Sequence, residues 1–319
     1  MLTKFFRSDR PIVLAILFFI SFSAWVIAFF MEENALNVES TILLQPLINQ
    51  LNSVKLLGVL LAFGFHFITA ILLNSVANRF NLADKKSYAV AFMYLLLSIA
   101  TMEGYSLTTG CIVNLLLVVL LFRLFQLPSS NNSKSIIFDS SFLVGVLAII
   151  NPVNIFLILV VWVGITSFKS AYFRDWIISL IGFFLPGLYL TVGFYFFDSL
   201  YLIDGLKLYI APIAIAESNY ILILGILLLL IPALVVFVGN RGQKTAVSRK
   251  MSNLILLLFA IMAISSVFLN RDNLIVLSSL VPISIIVGVF FIQVKKVIIA
   301  ESILLLFMVV SCYYHYINW

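Results

Sequence analysis

Apolar residues fall in long blocks along this chain, separated by short polar or turn-forming punctuation. The blocks lie near 11–31, 55–78, 87–102, 106–126, 137–151, 152–168, 176–197, 219–239, 251–269, 273–293 and 297–316. About 20 mostly apolar residues carry a helix across a hydrocarbon core of about 30 Å, so the pattern predicts a bundle of eleven spans, several of them short. Asn151-Pro152 decides the count. Proline disfavours helical geometry in the residue before it and Asn-Pro is a turn signal. Read without a break, residues 137–168 would form one helix of about 48 Å, which overruns the membrane.

The loop charges test this division. With the N-terminus inside, Lys4, Arg7, Arg10, Arg79, Lys85, Lys86, Arg123, Lys134, Lys169, Arg174, Arg241, Lys244, Arg249, Lys250, Lys295 and Lys296 share the inner face, and only Lys55, Lys207 and Arg271 fall outside. Basic residues concentrate on the cytoplasmic side of membrane proteins. Removing the break would send Arg241, Lys244, Arg249 and Lys250 outside, so the expected topology is eleven helices with the N-terminus cytoplasmic and the C-terminus outside.

Composition agrees with this all-α, polytopic architecture. The 319 residues are 63% hydrophobic and only 10% charged, with a mean hydropathy of +1.19. Soluble domains carry about 25% charged residues, so one transmembrane domain spanning 1–319, in the cell inner membrane, is expected, with no soluble domain. The net charge of +6 is then an orientation signal and not a nucleic-acid site. The first apolar run ends in Met31-Glu32-Glu33 rather than a small-residue cleavage site, which reads as a retained helix. Cys111 and Cys312 are too few for a disulfide framework or a metal knuckle and are expected as free thiols.

The acidic residues take the other side. Glu32, Glu33, Glu39, Glu103, Asp198, Asp204, Glu217 and Asp272 map outside, against Asp9, Asp84, Asp139 and Asp175 inside, with Glu301 in the last span near Lys296. Acidic residues contribute little to orientation, so topology alone leaves this excess unexplained. Two outer segments, near 32–53 and 198–219, exceed turns, and their half-apolar patterns suggest interfacial helices. Inner residues 128–134, with their Ser-Asn run, read as a flexible connection.

No phosphate-binding glycine loop, nucleophile elbow or zinc-protease helix is present; whether a metal or cofactor is needed stays open, with Glu103 as a second carboxylate or a metal ligand. The candidate chemistry gathers outside. Glu32, Glu33 and Glu103 are carboxylates at helix ends that could act as general bases. Arg271, with Lys207, could hold a lipid phosphate. The alternative is that they are solvated helix-end charges. His66, near mid-span, is a costly polar group that suggests substrate binding, or else a hydrogen bond to a neighbouring helix. Asn74, Asn78 and Asn114 read as interhelical hydrogen-bonding groups.

A first helix, an acidic outer segment with interfacial helices, and many spans joined by short loops resemble the GT-C class of polyprenyl-phosphate-sugar glycosyltransferases. That resemblance implies a catalytic acidic residue or pair in the first outer loop, which maps onto Glu32 and Glu33. The runs Gly110-Cys111-Ile112-Val113-Asn114, Leu121-Phe122-Arg123-Leu124-Phe125 and Phe138-Asp139-Ser140-Ser141-Phe142, leading to Asn151-Pro152, are also similar to an uncharacterised family of polytopic membrane proteins from Bacteroidota, which implies no activity. Three functions stay open: a transferase acting outside on a polyprenyl-phosphate lipid, a non-enzymatic subunit of an envelope complex with other membrane proteins as partners, and a transporter of lipid or small solute.

Overall fold

The computed structural model describes residues 6–30, 44–83, 85–101, 106–130, 132–169, 172–198, 217–268, 280–294 and 296–317, and every regular element among them is helical. In chain order these are α1 (Pro11–Phe30), a short α2 (Gln45–Asn52), α3 (Lys55–Arg79), α4 (Ala89–Ala100), α5 (Thr109–Phe125), α6 (Ser133–Ile150), α7 (Ile158–Phe168, entered through a 3-10 turn at Pro152–Leu157), α8 (Phe173–Phe196), α9 (Glu217–Gly239), α10 (Ala246–Phe268), α11 (Leu280–Gln293) and α12 (Val297–Ile317). Each of the eleven apolar blocks thus contains a helix among its described residues, and seven of the helices are long and apolar enough to cross a membrane. Side chains such as Phe184, Leu188, Ile231 and Val309 stand exposed on those seven, as do Phe19 and Ile27 on α1. In water that would be a liability, but in lipid it is the expected outer surface.

Three helices begin three or more residues before their apolar blocks, each for a local reason. A 3-10 turn occupies Leu127–Ser129 and α6 starts at Ser133, whose hydroxyl accepts from Lys169 Nζ at 2.6 Å. The Asp175 carboxylate accepts the Tyr172 N–H at 3.3 Å, forming a capping box that starts α8 at Phe173. Thr245 Oγ1 accepts the Ser248 N–H, so α10 takes in Arg249 and Lys250. A charge ends an apolar block, but Lys and Arg are good helix formers.

The break at Asn151 is a reversal of the chain. The Asn151 side chain accepts the Val153 N–H, and Asn154 Nδ2 donates back to the Leu147 carbonyl at 3.1 Å. Lys169, just past α7, meets Ser133 at the start of α6, so α7 runs back along the length of α6. The α6–α8 contact agrees. Ser141 meets Ser179 at 2.8 Å, and a Cβ built on Gly145 would fall on the Phe183 carbonyl and the Pro186 ring. Both contacts advance in the same direction, so α6 and α8 are parallel and the chain between them must return.

Side-chain contacts sort the helix termini into two ends. At one end the Phe6 ring stacks on Phe92 at 4.0 Å. Asn240 donates to Gln293, Lys244 to the Leu82 carbonyl and Ser248 to that of Asn81. Arg79 lies over the Phe122 ring at 5.1 Å, and Arg123 faces Asp139 at 3.8 Å. Among the described residues, every helix end or connection that carries a basic residue, except that at Lys55, belongs to this end, which we call the basic end. At the opposite end Lys55 lies over Phe29, Asn52 pairs with the Leu107 backbone, and His315 Nε2 donates to the Ile99 carbonyl at 3.1 Å.

Short α4 and α11 form the centre and are almost wholly buried. Arg7 closes the basic end of α11, its guanidinium donating to the Phe291 and Val294 carbonyls at 2.7 and 2.9 Å. These are terminal acceptors that the helix cannot satisfy, at the end whose dipole favours a cation. Burial lowers the pKa of Arg7. Hydrogen bonds to charged groups contribute about 1.5–3 kcal/mol, so Arg7→Ala should destabilise the protein by about 2 kcal/mol. Thermal unfolding in mild detergent checks this, and Arg7→Lys should recover part of the loss.

Candidate buried polar site beneath helix α2

His66 lies on α3 with none of its surface exposed, and Cys111, in the first turn of α5, is 1% exposed. Cys111 Sγ sits 3.4 Å from His66 Nε2, and His66 Nδ1 sits 3.1 Å from the Tyr94 hydroxyl on α4. Thr108 Oγ1, at the N-terminal boundary of α5, is 3.4 Å from the same sulfur. The Trp25 ring stands 5.8 Å from the imidazole. Four helices therefore converge on one histidine. A polar side chain surrounded by hydrocarbon must find partners within the bundle.

Thr69 Oγ1 donates to the Phe65 carbonyl at 2.7 Å. A neutral imidazole has one donor and one acceptor nitrogen. In the tautomer with its proton on Nδ1, His66 donates to the Tyr94 hydroxyl and Nε2 is left to receive the Cys111 S–H. The result is a nucleophile-type group, an imidazole acceptor and a third group that orients the imidazole, an arrangement seen where thiols are activated. Both cysteines are free, Cys111 buried and Cys312 exposed, as expected.

Helix α2 covers this group. Its Ile48 packs with Leu107 and Cys111, and Leu44, Leu51, Leu61 and Phe65 complete an apolar cap. Asn52 locks α2 in place, donating to the Leu107 carbonyl at 2.9 Å and accepting the Leu107 N–H at 3.3 Å. Asn74 and Asn78 do join helices, Asn74 accepting from Ala91 N–H and Asn78 pairing with the Ser87 backbone.

Glu32, Glu33, Glu103, Lys207 and Arg271 lie outside the described residues, as does most of each long outer segment. The described termini that flank them are Phe30 and Leu44, Thr101 and Ser106, Asp198 and Glu217, and Phe268 and Leu280. All belong to the end opposite the basic one: Leu44 packs with Leu107 and Cys111 there, and every other adjoining helix has its far terminus at the basic end. Among the described residues no three His, Cys, Asp or Glu side chains are grouped so as to hold a metal ion.

One family matches residues 36–319. The chain belongs to DUF6427, a family of unknown function. No curated protein matches the chain, and no solved structure does. The DUF6427 match takes in His66, Tyr94, Glu103, Cys111, Lys207 and Arg271, while Glu32 and Glu33 precede it. Within this DUF6427 chain, sequence reasoning singled out His66 but missed its partners. Cys111 had been read only as a free thiol, and Tyr94 is hidden in an apolar run. The available signal was positional: Cys111 and His66 both lie in the halves of their spans away from the basic loops.

Proposed function

We propose that the protein is a multi-pass inner-membrane transferase of GT-C-like topology, with eleven crossings, acting at the outer face on a polyprenyl-phosphate-linked sugar. One observation carries the reading: every segment bearing a candidate carboxylate or cation is tethered to the same end of the bundle, opposite the basic end. With the basic end in the cytoplasm, Glu103, Glu32 and Glu33 belong to the outer face, together with Lys207 and Arg271. Glu32 or Glu33 would serve as base for the acceptor hydroxyl, with Glu103 as a second carboxylate. Arg271 and Lys207 would hold the phosphate, offsetting the charge that develops as the sugar leaves. The bond broken is the one between the anomeric carbon and the phosphate oxygen, and the acceptor's proton goes to the carboxylate.

The test uses purified protein in proteoliposomes with undecaprenyl-phosphate-linked hexose as the donor, following release of free undecaprenyl phosphate. Glu32→Gln with Glu33→Gln should lower the rate by about a hundredfold or more, and Arg271→Ala by a similar factor, with folding unchanged. Full turnover in the double variant would contradict the assignment of the base. A wild-type protein that consumes no donor and arrives with a stoichiometric membrane partner would favour the subunit reading.

A further inference from the structure

The Cys111 group has the parts of a nucleophilic site and plays no role in the transfer proposed above. A thiol reacts as its thiolate, which an imidazole acceptor and a helix N-terminus both favour. Cys111 has both, being the third residue of the 17-residue α5 and 3.4 Å from His66 Nε2. The Thr109 and Gly110 N–H groups have no acceptor within the helix, and the Thr108 side chain does not cap them. They are the donors available to a developing oxyanion beside the sulfur. Among the described residues Cys111 also belongs to the apolar cluster of Ile48 and Leu107, against which Leu44, Leu51, Leu61 and Phe65 pack. The site is thus polar towards His66 and Thr108 and apolar towards α2, a division that fits an acyl group whose carbonyl and hydrocarbon chain need opposite surroundings.

We propose that Cys111 is an acyl-accepting nucleophile that takes a fatty acyl chain from an ester-linked membrane lipid and holds it as a thioester, with His66 as its base and Tyr94 as the positioning residue for His66. In the step, Cys111 gives its proton to His66 Nε2 and the thiolate attacks the ester carbonyl. The carbon–sulfur bond forms as the carbon–oxygen bond breaks. The imidazolium then returns the proton to the departing alkoxide, leaving a lysolipid hydroxyl and a neutral His66. No oxidant or reductant enters. Helix α2 covers the thiol in the structure described, so acylation needs α2 to lift, and the Asn52–Leu107 pair is its latch.

The experiment reconstitutes the full-length protein in vesicles of phosphatidylethanolamine, a fraction of which carries alkyne-terminated acyl chains. Acylation is read as a hydroxylamine-cleavable tag and located by peptide mass spectrometry. The expected result is a tag on Cys111 that Cys111→Ser removes and Cys312→Ser leaves. His66→Gln, measured on its monodisperse fraction, should acylate about a hundredfold more slowly, and Asn52→Ala should acylate faster than wild type. A wild-type protein with no tag on Cys111 overturns the proposal whether or not the variants fold. So does a tag confined to Cys312, or an unchanged acylation rate in folded His66→Gln.

Discussion

Gly145→Leu should abolish the folded bundle, while Gly187→Leu, one residue past the Pro186 that Gly145 meets, should leave it intact. A Cβ at Gly145 has no room, because it would fall on the Phe183 carbonyl and sit 2.9 Å from the Pro186 ring. The opposing side of this seam is equally tight, since a Cβ at Gly182 would lie 2.8 Å from the Phe138 carbonyl and 3.2 Å from Ser141. Neither neighbour is the flexible tip of a side chain, so the helices must separate. That separation breaks the Ser141–Ser179 hydrogen bond. Small residues that let backbones approach are a main source of helix association in lipid, where no hydrophobic force drives it. Overpacking costs about 1–3 kcal/mol and at times more, and here the obstruction is backbone. Gly187 meets nothing within 4 Å, so its leucine points into open space. Fluorescence-detected size exclusion after detergent extraction reads the contrast as a lost against a retained monodisperse peak.

Gly288→Leu should be nearly as damaging, for a reason that lies at the centre of the bundle. Helices α4 and α11 are buried on almost every face, so neither can turn a new side chain towards lipid. A Cβ at Gly288 would lie 2.7 Å from Val90 Cγ2 and 2.8 Å from Val90 Cα. The methyl can rotate away, but the Cα cannot. The expected loss is about 3 kcal/mol, seen as a lowered thermal midpoint in detergent. Reducing Val90 to alanine alongside Gly288→Ala should recover part of it, because the side-chain obstruction then shrinks while the Cα approach remains. A Gly288→Leu protein as stable as wild type would mean that α4 and α11 do not meet here.

The apolar blocks were legible because a helix in lipid must be apolar over its whole length, whichever neighbours it acquires. The reversal at Asn151-Pro152 was legible too. It follows from proline geometry and from a length of chain that one crossing cannot accommodate, and the Lys169–Ser133 contact is its structural counterpart. The seams were not legible. Gly145, Gly182 and Gly288 differ from Gly187 only in what faces them, and facing is a property of helix rotation that an all-round apolar sequence leaves undetermined. The buried site was half legible. His66 stands out because a polar group in a span is expensive. Its partners come from α4 and α5, and no spacing along the chain links residues 66, 94 and 111.

We propose a two-ended bundle whose basic end is cytoplasmic and whose candidate carboxylates lie outside, with the chain reversing at residue 151. Single cysteines at Ser53, Lys250 and Tyr316 in a Cys312→Ser background test all three statements at once. A membrane-impermeant maleimide applied to intact spheroplasts should label Ser53→Cys and Tyr316→Cys, which belong to the same end on opposite sides of the Asn151 reversal. It should reach Lys250→Cys only after lysis. Labelling of Ser53→Cys and Tyr316→Cys from opposite faces, or of Lys250→Cys in intact spheroplasts, would contradict the account.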